Sequence, residues 1–419
     1  RTDRPYGPSV RTVRTDRPYG PSEVAQSSRS GYGPLNLALF DLGMVPWAFF
    51  SKGEVKGCSF GIIFGFGLVG RRHVEAAQGL DTVTFTTVVE TDPAGRAAAQ
   101  AAGLQCVDTL EALLEDHPVD GIVIATPTLL HIEQARACVE AGCPVLVEKP
   151  IGVTSREAEA TVALAEAKGV PVLVGHHRRH NSIVREAKAI LEHGGVGDIR
   201  SISAQCLFYK PDSYFDIAPW RKKFGAGPIS VNLIHDVDLL RHFCGEIESV
   251  QAMSVPSRRG YDNEELASAL LRFTSGALAT VTVSDSVVSP WSWEFTAEEN
   301  PVYHPTGQSC YAISGSEGAL SVPDLRLWRH QGQPDWWNPL TAEQRAHDGS
   351  DSLVNQLRHF HRVLQGQEAP LVGGREGLQS LRVIEAIQEA AGTGARIAVD
   401  IGIDSSPKTA VISNNKTAA

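Results

Sequence analysis

Residues 65–70 read GFGLVG, the G-x-G-x-x-G pattern of loops that bind dinucleotides. The apolar run FGIIF before it indicates a strand, and RRHVEAAQ after it indicates a helix, which is the context that gives the pattern meaning. The first glycine would allow a tight turn, the second a close approach to a pyrophosphate, and the third close helix–strand packing. We predict phosphate binding on the amide N–H groups of this loop, rather than a turn without a ligand. The loop consists of Gly65, Phe66, Gly67, Leu68, Val69 and Gly70.

A carboxylate follows at the end of the next predicted strand, TVTFTTVV. Glu90 lies 20 residues after Gly70, where a carboxylate typically accepts hydrogen bonds from the adenosine ribose hydroxyls. Because a carboxylate would repel a 2′-phosphate, the sequence favours NAD over NADP. Arg71, Arg72 and Arg96 lie close enough in sequence to weaken this preference, so NADP remains an alternative.

The stretch VLVEKP, residues 145–150, places two charges at the end of an apolar run typical of a buried strand. Glu148 and Lys149, followed by Pro150, could simply face water. In an open α/β sheet, however, ligands bind beyond the carboxyl ends of the strands. Both side chains are therefore candidates for a site in a cleft.

The elements that must position these residues alternate between strand and helix up to about residue 175. Short Val/Ile-rich runs separated by helical segments indicate parallel βαβ units. Asp108 with Glu111, and Thr154 with Glu157, have the spacing of capping boxes at helix starts. Longer alternating runs follow, such as ELASALLRF and ALATVTVSD, with helices predicted at 232–243, 353–364 and 376–391.

This organisation predicts an α/β protein with two domains. A Rossmann dinucleotide-binding domain is expected at 57–177, and an α/β domain with a large, mostly antiparallel, open sheet at 178–403. Residues 1–56 repeat RTDRPYGPS and are rich in Pro, Gly, Ser and Arg, so we expect a disordered N-terminal tail there and a flexible tail at 404–419.

Composition excludes several classes of partner. The formal net charge is −10, which argues against a nucleic-acid or anionic-membrane partner. No segment approaches the length of an apolar membrane span. The 7 cysteines form no C-x-x-C pair, which indicates a reducing, cytoplasmic environment rather than a disulfide framework. His176 and His180 have i, i+4 spacing, but two arginines between them would repel a cation, so we expect no metal site.

Several stretches together resemble the glucose–fructose oxidoreductase / inositol dehydrogenase / MocA (Gfo/Idh/MocA) family. They are GFGLVGRRH, ATPTLLH, EKP, APWRKKFGAGPISVNLIHDVDLLRHFCGE and GSEGALSVPDLRLW, and the resemblance extends from about residue 59 to 399. It implies a Rossmann domain, a second domain whose open sheet pairs subunits in a homodimer or homotetramer, and a cleft that holds the nicotinamide and a sugar or polyol.

The resemblance also implies roles for residues of the cleft. Lys149 would contact the reacting hydroxyl and stabilise a developing alkoxide, and His235 would take the hydroxyl proton. Family members with an acid four residues before this histidine use it as a third catalytic group. Here Val231 occupies that position, and Asn232 follows as a neutral candidate for orienting the ring or the substrate. The remaining cofactor contacts would come from Thr126, Pro127, His131, Glu148, Lys149, Trp220 and Arg221.

The sequence thus predicts an NAD(P)-dependent dehydrogenase for a secondary hydroxyl of a sugar, polyol or cyclitol. Two alternatives from the same family remain at this stage. One is a sensor that binds the dinucleotide without turnover, although such a protein would need neither Lys149 nor His235. The other is a glycoside hydrolase that uses a tightly held NAD for transient oxidation.

Overall fold

Short runs of Val, Ile and Leu form the first sheet. The computed structural model describes residues 59–116 and 120–402, so both predicted tails lie outside the described residues. Six parallel strands pair in the order β3-β2-β1-β4-β5-β6. The order reverses between β1 and β4, which creates a crevice beyond their carboxyl ends. The strands are β1 (Ser59–Phe64), β2 (Val83–Val89), β3 (Gln105–Val107), β4 (Gly121–Ile124), β5 (Val145–Val147) and β6 (Val172–Val174).

Five helices connect these strands, and local signals set their ends. Thr154 caps its helix as predicted, because its hydroxyl accepts the Glu157 N–H at 3.3 Å. The prediction that Asp108 is a cap is wrong. The hydroxyl of Thr109 accepts the N–H of Ala112 instead, and Asp108 pairs with Arg96. The helices are α1 (Leu68–Ala77), α2 (Pro93–Ala101), α3 (Leu110–Asp116), α4 (Thr128–Glu140) and α5 (Ser155–Lys168).

The second sheet has nine strands among the described residues and confirms the predicted large, mostly antiparallel sheet. Its order is β14-β13-β12-β11-β7-β10-β9-β8-β15, and only β7 and β10 pair in parallel. Its strands are β7 (Ile199–Leu207), β8 (Ile247–Pro256), β9 (Glu264–Phe273), β10 (Leu278–Ser284), β11 (Tyr311–Gly315), β12 (Ala319–Val322), β13 (Arg326–His330), β14 (Leu340–Gln344) and β15 (Ile397–Ala398).

Alternation along the strands gives this sheet one buried and one open face. Leu271 is fully buried against the helices, whereas its neighbour Leu270 is 41% exposed on the other side. The helices on this part of the chain are α6 (Ser182–Glu192), α7 (Asp212–Asp216), α8 (Pro228–Val231), α9 (Leu233–Cys244) and α10 (Trp293–Thr296), with 3-10 turns at His177–His180 and Pro219–Lys222.

Two late helices return to the first sheet. Helix α11 (Ser352–Leu364) places Leu357, Phe360 and Val363 in the core of that sheet. Its N-cap, Asp351, accepts N–H groups of its own first turn and an Arg72 hydrogen bond from α1 at 2.5 Å. Helix α12 (Gly374–Thr393) packs on both α5 and β8. The domain limits at 57–177 and 178–403 stay predictions, and α11 lies late in the chain while it supports the first sheet.

The helices described in residues 59–116 and 120–402 were compared with the requirements of a bilayer only through their length and composition. None of these helices combines the length and the apolar composition required for a membrane crossing.

Candidate active site

The glycine loop has the geometry that a pyrophosphate needs. Gly65 has φ +87°, and a Cβ there would lie 3.0 Å from the Ala125 carbonyl oxygen, so only glycine suits this turn. Gly67 is the N-cap of α1, with no side chain bound to the helix amides, and a Cβ on it would meet no atom within 4 Å. Leu68 is 85% exposed at the start of α1, whereas Gly70 is buried. Open space at Gly67, a helix start that none of the described side chains caps, and an exposed apolar side chain fit a bound dinucleotide.

Glu90 lies directly beneath this loop. Its side chain is fully buried, and its two oxygens accept the backbone N–H of Phe66 at 3.1 Å and of Asp92 at 2.8 Å. Burial raises the pKa of Glu90, while these backbone hydrogen bonds oppose the rise. Gly95 makes room for it, because a Cβ at this position would lie 2.6 Å from the Glu90 carboxyl carbon. Glu90 therefore braces the loop, and its contact with a ribose stays a prediction.

The loop after β4 is held by a histidine. His131 places one ring nitrogen 2.8 Å from the Thr126 carbonyl oxygen and the other 2.8 Å from that of Pro150. Burial lowers the pKa of His131. The hydroxyl of Thr126 donates to Gln134 at 2.6 Å, and Pro127 is exposed at the N-cap of α4. His131 thus joins the ends of β4 and β5, and the contact of the exposed Pro127 with the cofactor stays a prediction.

Glu148 is the first of two charged residues that follow β5. Its carboxylate is buried and binds the ring of His73, on α1, at 2.8 Å. Burial would raise the pKa of Glu148, but the hydrogen bond and charge of His73, with the charges of His177 and Lys149, lower it to about 2. Glu148 therefore ties α1 to the end of β5, where Lys149 follows. Its predicted direct contact with the cofactor stays a prediction.

Lys149 is the second charged residue that follows β5. Its ammonium lies 3.5 Å from the carbonyl oxygen of Val231, at the C-terminal end of α8. Burial is the largest influence on this amine and lowers its pKa to about 8, although Glu148 opposes the change. An amine with this pKa can gain or lose a proton near neutral pH, which a water-exposed lysine cannot.

The segment that faces Lys149 runs from α8 into α9. Asn232 separates the two helices, and His235 lies in the first turn of α9 with 8% of its surface exposed. Burial, the nearby Lys149 and Arg178 charges, and two histidines hold the pKa of His235 well below 6.5. Its Nδ1 has no hydrogen-bond partner among the described residues. The predicted catalytic group of Lys149, Asn232 and His235 is thus brought together at one place.

Lys210 also belongs to this group, although its sequence context did not lead to a prediction. Lys210, three residues after the end of β7, donates a hydrogen bond to Asn232 Oδ1 at 2.7 Å and lies 3.8 Å from Asp285 Oδ2. Its side chain is buried, and burial lowers its pKa. The available signal was a lysine followed by proline at the end of a long alternating strand, in CLFYKP. That is the same arrangement as VLVEKP.

Trp220 and Arg221 lie on the 3-10 turn beside this cluster. Trp220 is 55% exposed. The Arg221 guanidinium stacks 4.1 Å from the centre of the Tyr214 ring, and its Nη1 donates to the Tyr214 carbonyl oxygen at 2.7 Å. An exposed indole and a fixed guanidinium at the rim suit contact with a ligand in the cleft. Their contact with the nicotinamide stays a prediction.

The histidine-rich turn serves packing. His176 lies 3.9 Å from Asp238, which also binds Arg179 at 2.7 Å, while the ring of His180 packs on His359. Within residues 59–116 and 120–402, no three His, Cys, Asp or Glu side chains are grouped so that they could hold a metal ion.

Comparisons with known proteins agree with this geometry. Residues 59–176 match the model "Oxidoreductase family, NAD-binding Rossmann fold", and residues 184–321 match the "GFO/IDH/MocA C-terminal domain". Inositol 2-dehydrogenase 2 of Saccharopolyspora erythraea is 30% identical over 74% of this chain and 94% of its own length. A 1,5-anhydro-D-fructose reductase of Ensifer adhaerens is 26% identical over 74% of this chain and 89% of its own length.

A solved structure shows the same similarity. The WlbA dehydrogenase of Bordetella pertussis, in complex with NADH and UDP-GlcNAcA, is 26% identical with a TM-score of 0.66, and the match covers 82% of this chain and 99% of that chain. The fold and the loop define an oxidoreductase with a Rossmann NAD(P)-binding domain. More specifically, the chain belongs to the Gfo/Idh/MocA family.

Proposed function

We propose that this enzyme oxidises a secondary hydroxyl of a sugar, polyol or cyclitol, or reduces the corresponding ketone, with NAD(P) as cofactor. The observation that carries the proposal is that Lys149, a partly buried lysine whose pKa is lowered to about 8, lies close to the buried, neutral His235 just after β5. The names of its relatives support the substrate class, since they include a reductase of an anhydro-sugar and an inositol dehydrogenase.

The two side chains have complementary roles. NAD(P), when bound, supplies the group that accepts hydride. His235 is neutral at pH 7 because its pKa is held well below 6.5, so its imidazole is ready to accept the hydroxyl proton. Lys149 is mostly an ammonium at pH 7, since its pKa is about 8, and can stabilise negative charge on the same oxygen.

The alternatives have less support. A sensor that only binds the dinucleotide has no use for a partly buried ammonium, whose desolvation disfavours the folded state. A hydrolase that recycles its cofactor would need the same two residues. Dehydrogenase and reductase names among the relatives favour net oxidation or reduction over hydrolysis.

We also propose NAD as the preferred cofactor. The proposal is supported by the carboxylate of Glu90 just after β2, since a carboxylate at this position of a dinucleotide-binding domain would repel a 2′-phosphate. A homodimer or homotetramer is proposed from the open face of the second sheet, where Met253 (79%), Leu270 (41%) and Leu278 (45%) are exposed.

A reducing, cytoplasmic location is proposed because the six cysteines that the structure describes are all free.

The first test is absorbance at the reduced-nicotinamide band. The protein would be mixed with NAD, and separately with NADP, against inositols, aldoses, alditols and sugar acids. We expect reduction with at least one substrate, faster with NAD, and its loss in Lys149→Ala. Lys188→Ala is the matched control, because this lysine lies on α6 and pairs with Glu192. Intact NAD binding without reduction across the panel would contradict the proposal.

A pH profile tests the assigned roles. We expect kcat/KM for oxidation to fall on the alkaline side with an apparent pKa of about 8, because Lys149 then loses its proton. Lys149→Arg keeps the charge and should remove this fall, at a lower overall rate. No acid limb near pH 6.5 is expected from His235. A rate that rises through pH 8 would show that neutral Lys149 is the active form, and would contradict its role as an ammonium.

A further inference from the structure

Two lysine amines bind consecutive residues at the break between α8 and α9. The Lys149 ammonium lies 3.5 Å from the Val231 carbonyl oxygen, and the Lys210 ammonium lies 2.7 Å from Asn232 Oδ1. The two amines are close enough that the charge of Lys210 lowers the pKa of Lys149. Lys210 is therefore part of the same cluster and not a separate surface residue.

The contact with Lys210 determines which part of the Asn232 amide is left to act. An ammonium group can only donate hydrogen bonds, and the only acceptor on an asparagine side chain is its oxygen. The oxygen must therefore face Lys210. No described residue accepts a hydrogen bond from Asn232 Nδ2, so two N–H donors remain available.

Lys210 is itself held firmly, which is what a positioning residue requires. It is 8% exposed, and Asp285 approaches its ammonium at 3.8 Å. The ring of Tyr214 lies 4.9 Å from Nζ, an arrangement that favours a cation over the ring face. Arg259 donates to the Lys210 carbonyl oxygen at 2.8 Å and to Asp285 at 3.5 Å, which fixes both partners.

We propose that Lys210 is a positioning residue that orients Asn232 to donate a hydrogen bond to the substrate oxygen next to the reacting carbon. The proposal rests on the proposed function and assigns one hydrogen-bonding subsite for substrates of that class, whose members carry oxygen on adjacent carbons. Lys149 and His235 handle the reacting hydroxyl, and Asn232, one helical turn earlier, reaches the neighbouring substituent. The preferred substrate then carries oxygen on two adjacent carbons, as a vicinal diol or its α-hydroxy ketone, and not an isolated secondary alcohol.

The test compares a substrate with an analogue that lacks the neighbouring hydroxyl. The panel contains myo-inositol, scyllo-inositol, alditols, 1,2-cyclohexanediol and cyclohexanol. For the wild type we expect kcat/KM to drop about 10- to 100-fold from a diol to the mono-alcohol, the loss typical of one substrate hydrogen bond at a buried site. Asn232→Ala, Lys210→Met and the double variant should each lose the diol preference, mainly through KM, with unchanged NAD affinity.

Non-additivity is the decisive readout. If Lys210 acts through Asn232, the double variant loses no more than either single variant. Additive losses, or a Lys210→Met variant within twofold of the wild type, would overturn the proposal. Asn232→Asp guards against misfolding at Lys210, because it keeps the contact with the ammonium and removes the N–H donors. With 2-methoxycyclohexanol, whose ether oxygen can only accept a hydrogen bond, it should lose the preference over cyclohexanol that the wild type shows, and retention of that preference would also overturn the proposal.

Binding measurements separate this proposal from the proposed function. Calorimetry on the NADH-saturated enzyme measures the affinity for the same diols and mono-alcohol without turnover. If the wild type binds diols more tightly than the mono-alcohol, the variants do not, and no NAD is reduced, the dehydrogenase assignment is wrong and the role of Lys210 is supported. If the wild type oxidises diols and mono-alcohols at equal rates, the dehydrogenase assignment is supported and the role proposed for Lys210 is contradicted. A wild type that binds none of the compounds would contradict both.

Discussion

Replacement of Lys149 by methionine should abolish activity and make the protein more stable. Burial lowers the pKa of Lys149 from 10.5 to about 8, so the charged amine disfavours the folded state. At roughly 1.4 kcal/mol per pKa unit, this corresponds to at most about 3 kcal/mol. Because the side chain keeps some exposure, we expect a gain of about 1–2 kcal/mol for a methionine of similar shape.

The pH dependence of this gain has a definite sign. Between pH 8 and 10.5 the unfolded chain binds a proton on Lys149 that the folded chain has lost, so the wild type becomes more stable as pH rises in this window. The difference between Lys149→Met and wild type should therefore be full below about pH 8. It should shrink toward pH 10.5.

Thermal midpoints of the cofactor-free proteins measure this difference. At pH 7 we expect Lys149→Met to melt about 1–3 °C above the wild type, because a chain of this length has a large entropy of unfolding. Lys223→Met is the matched control, since that lysine is 69% exposed and should show no gain. The reasoning is refuted if Lys149→Met is less stable than the wild type, or if the difference between their thermal midpoints is the same at pH 7 and pH 10. Either result would mean that burial of the Lys149 ammonium does not destabilise the folded protein.

Two further predictions concern the supports of the cofactor loop. Gly95→Ala should weaken NAD binding, because the new Cβ would lie 2.6 Å from the Glu90 carboxyl carbon and displace the carboxylate. The control is Gly392→Ala, which should bind NAD normally because no atom lies within 4 Å of its Cβ position. Fluorescence titration with NADH measures the affinity of both variants. His73→Phe should lower stability by about 1–3 kcal/mol at pH 7, because it leaves the buried Glu148 carboxylate without its partner. The Glu148 pKa, about 2 in the folded state against 4.5, gives stability that is present above pH 4.5 and lost as pH falls toward 2. Denaturation by urea at pH 7 and pH 3 should therefore show a smaller difference between His73→Phe and wild type at pH 3, and an equal difference would contradict the assigned role of Glu148.

The fold and the cofactor loop could be predicted because their signals are local. Short apolar strands, helix periodicity and the glycine spacing all lie within stretches of about 10–30 residues. Gly65 shows why the signal is dependable, since its φ of +87° and the carbonyl oxygen 3.0 Å from its Cβ position admit no other residue. The same reasoning failed at Asp108, where two adjacent residues could both cap a helix and an arginine 12 residues away decided the outcome.

The contacts that define the catalytic cluster could not be predicted, because they join residues distant in sequence. Glu148 meets His73 across 75 residues, and Lys149 meets Val231 across 82. Nothing in VLVEKP shows that its carboxylate faces a helix while its amine faces the cleft. Only the path of the chain, with α1 packed against the end of β5, separates a structural role for Glu148 from a chemical one for Lys149.

The replacement of an acid by Val231 makes sense once these contacts are known. An acid beside Lys149 and His235 would bind the ammonium strongly and raise its pKa. With a backbone carbonyl oxygen at 3.5 Å in place of that acid, burial outweighs the charge of Glu148 and the Lys149 pKa stays at about 8. The second amine, that of Lys210, has the carboxylate of Asp285 at 3.8 Å. The neutral Asn232 can then accept from Lys210 and still donate to a substrate, which a carboxylate in its place could not do. Valine at position 231 is therefore compatible with the proposed catalysis, provided that Lys210 and Asn232 are both present.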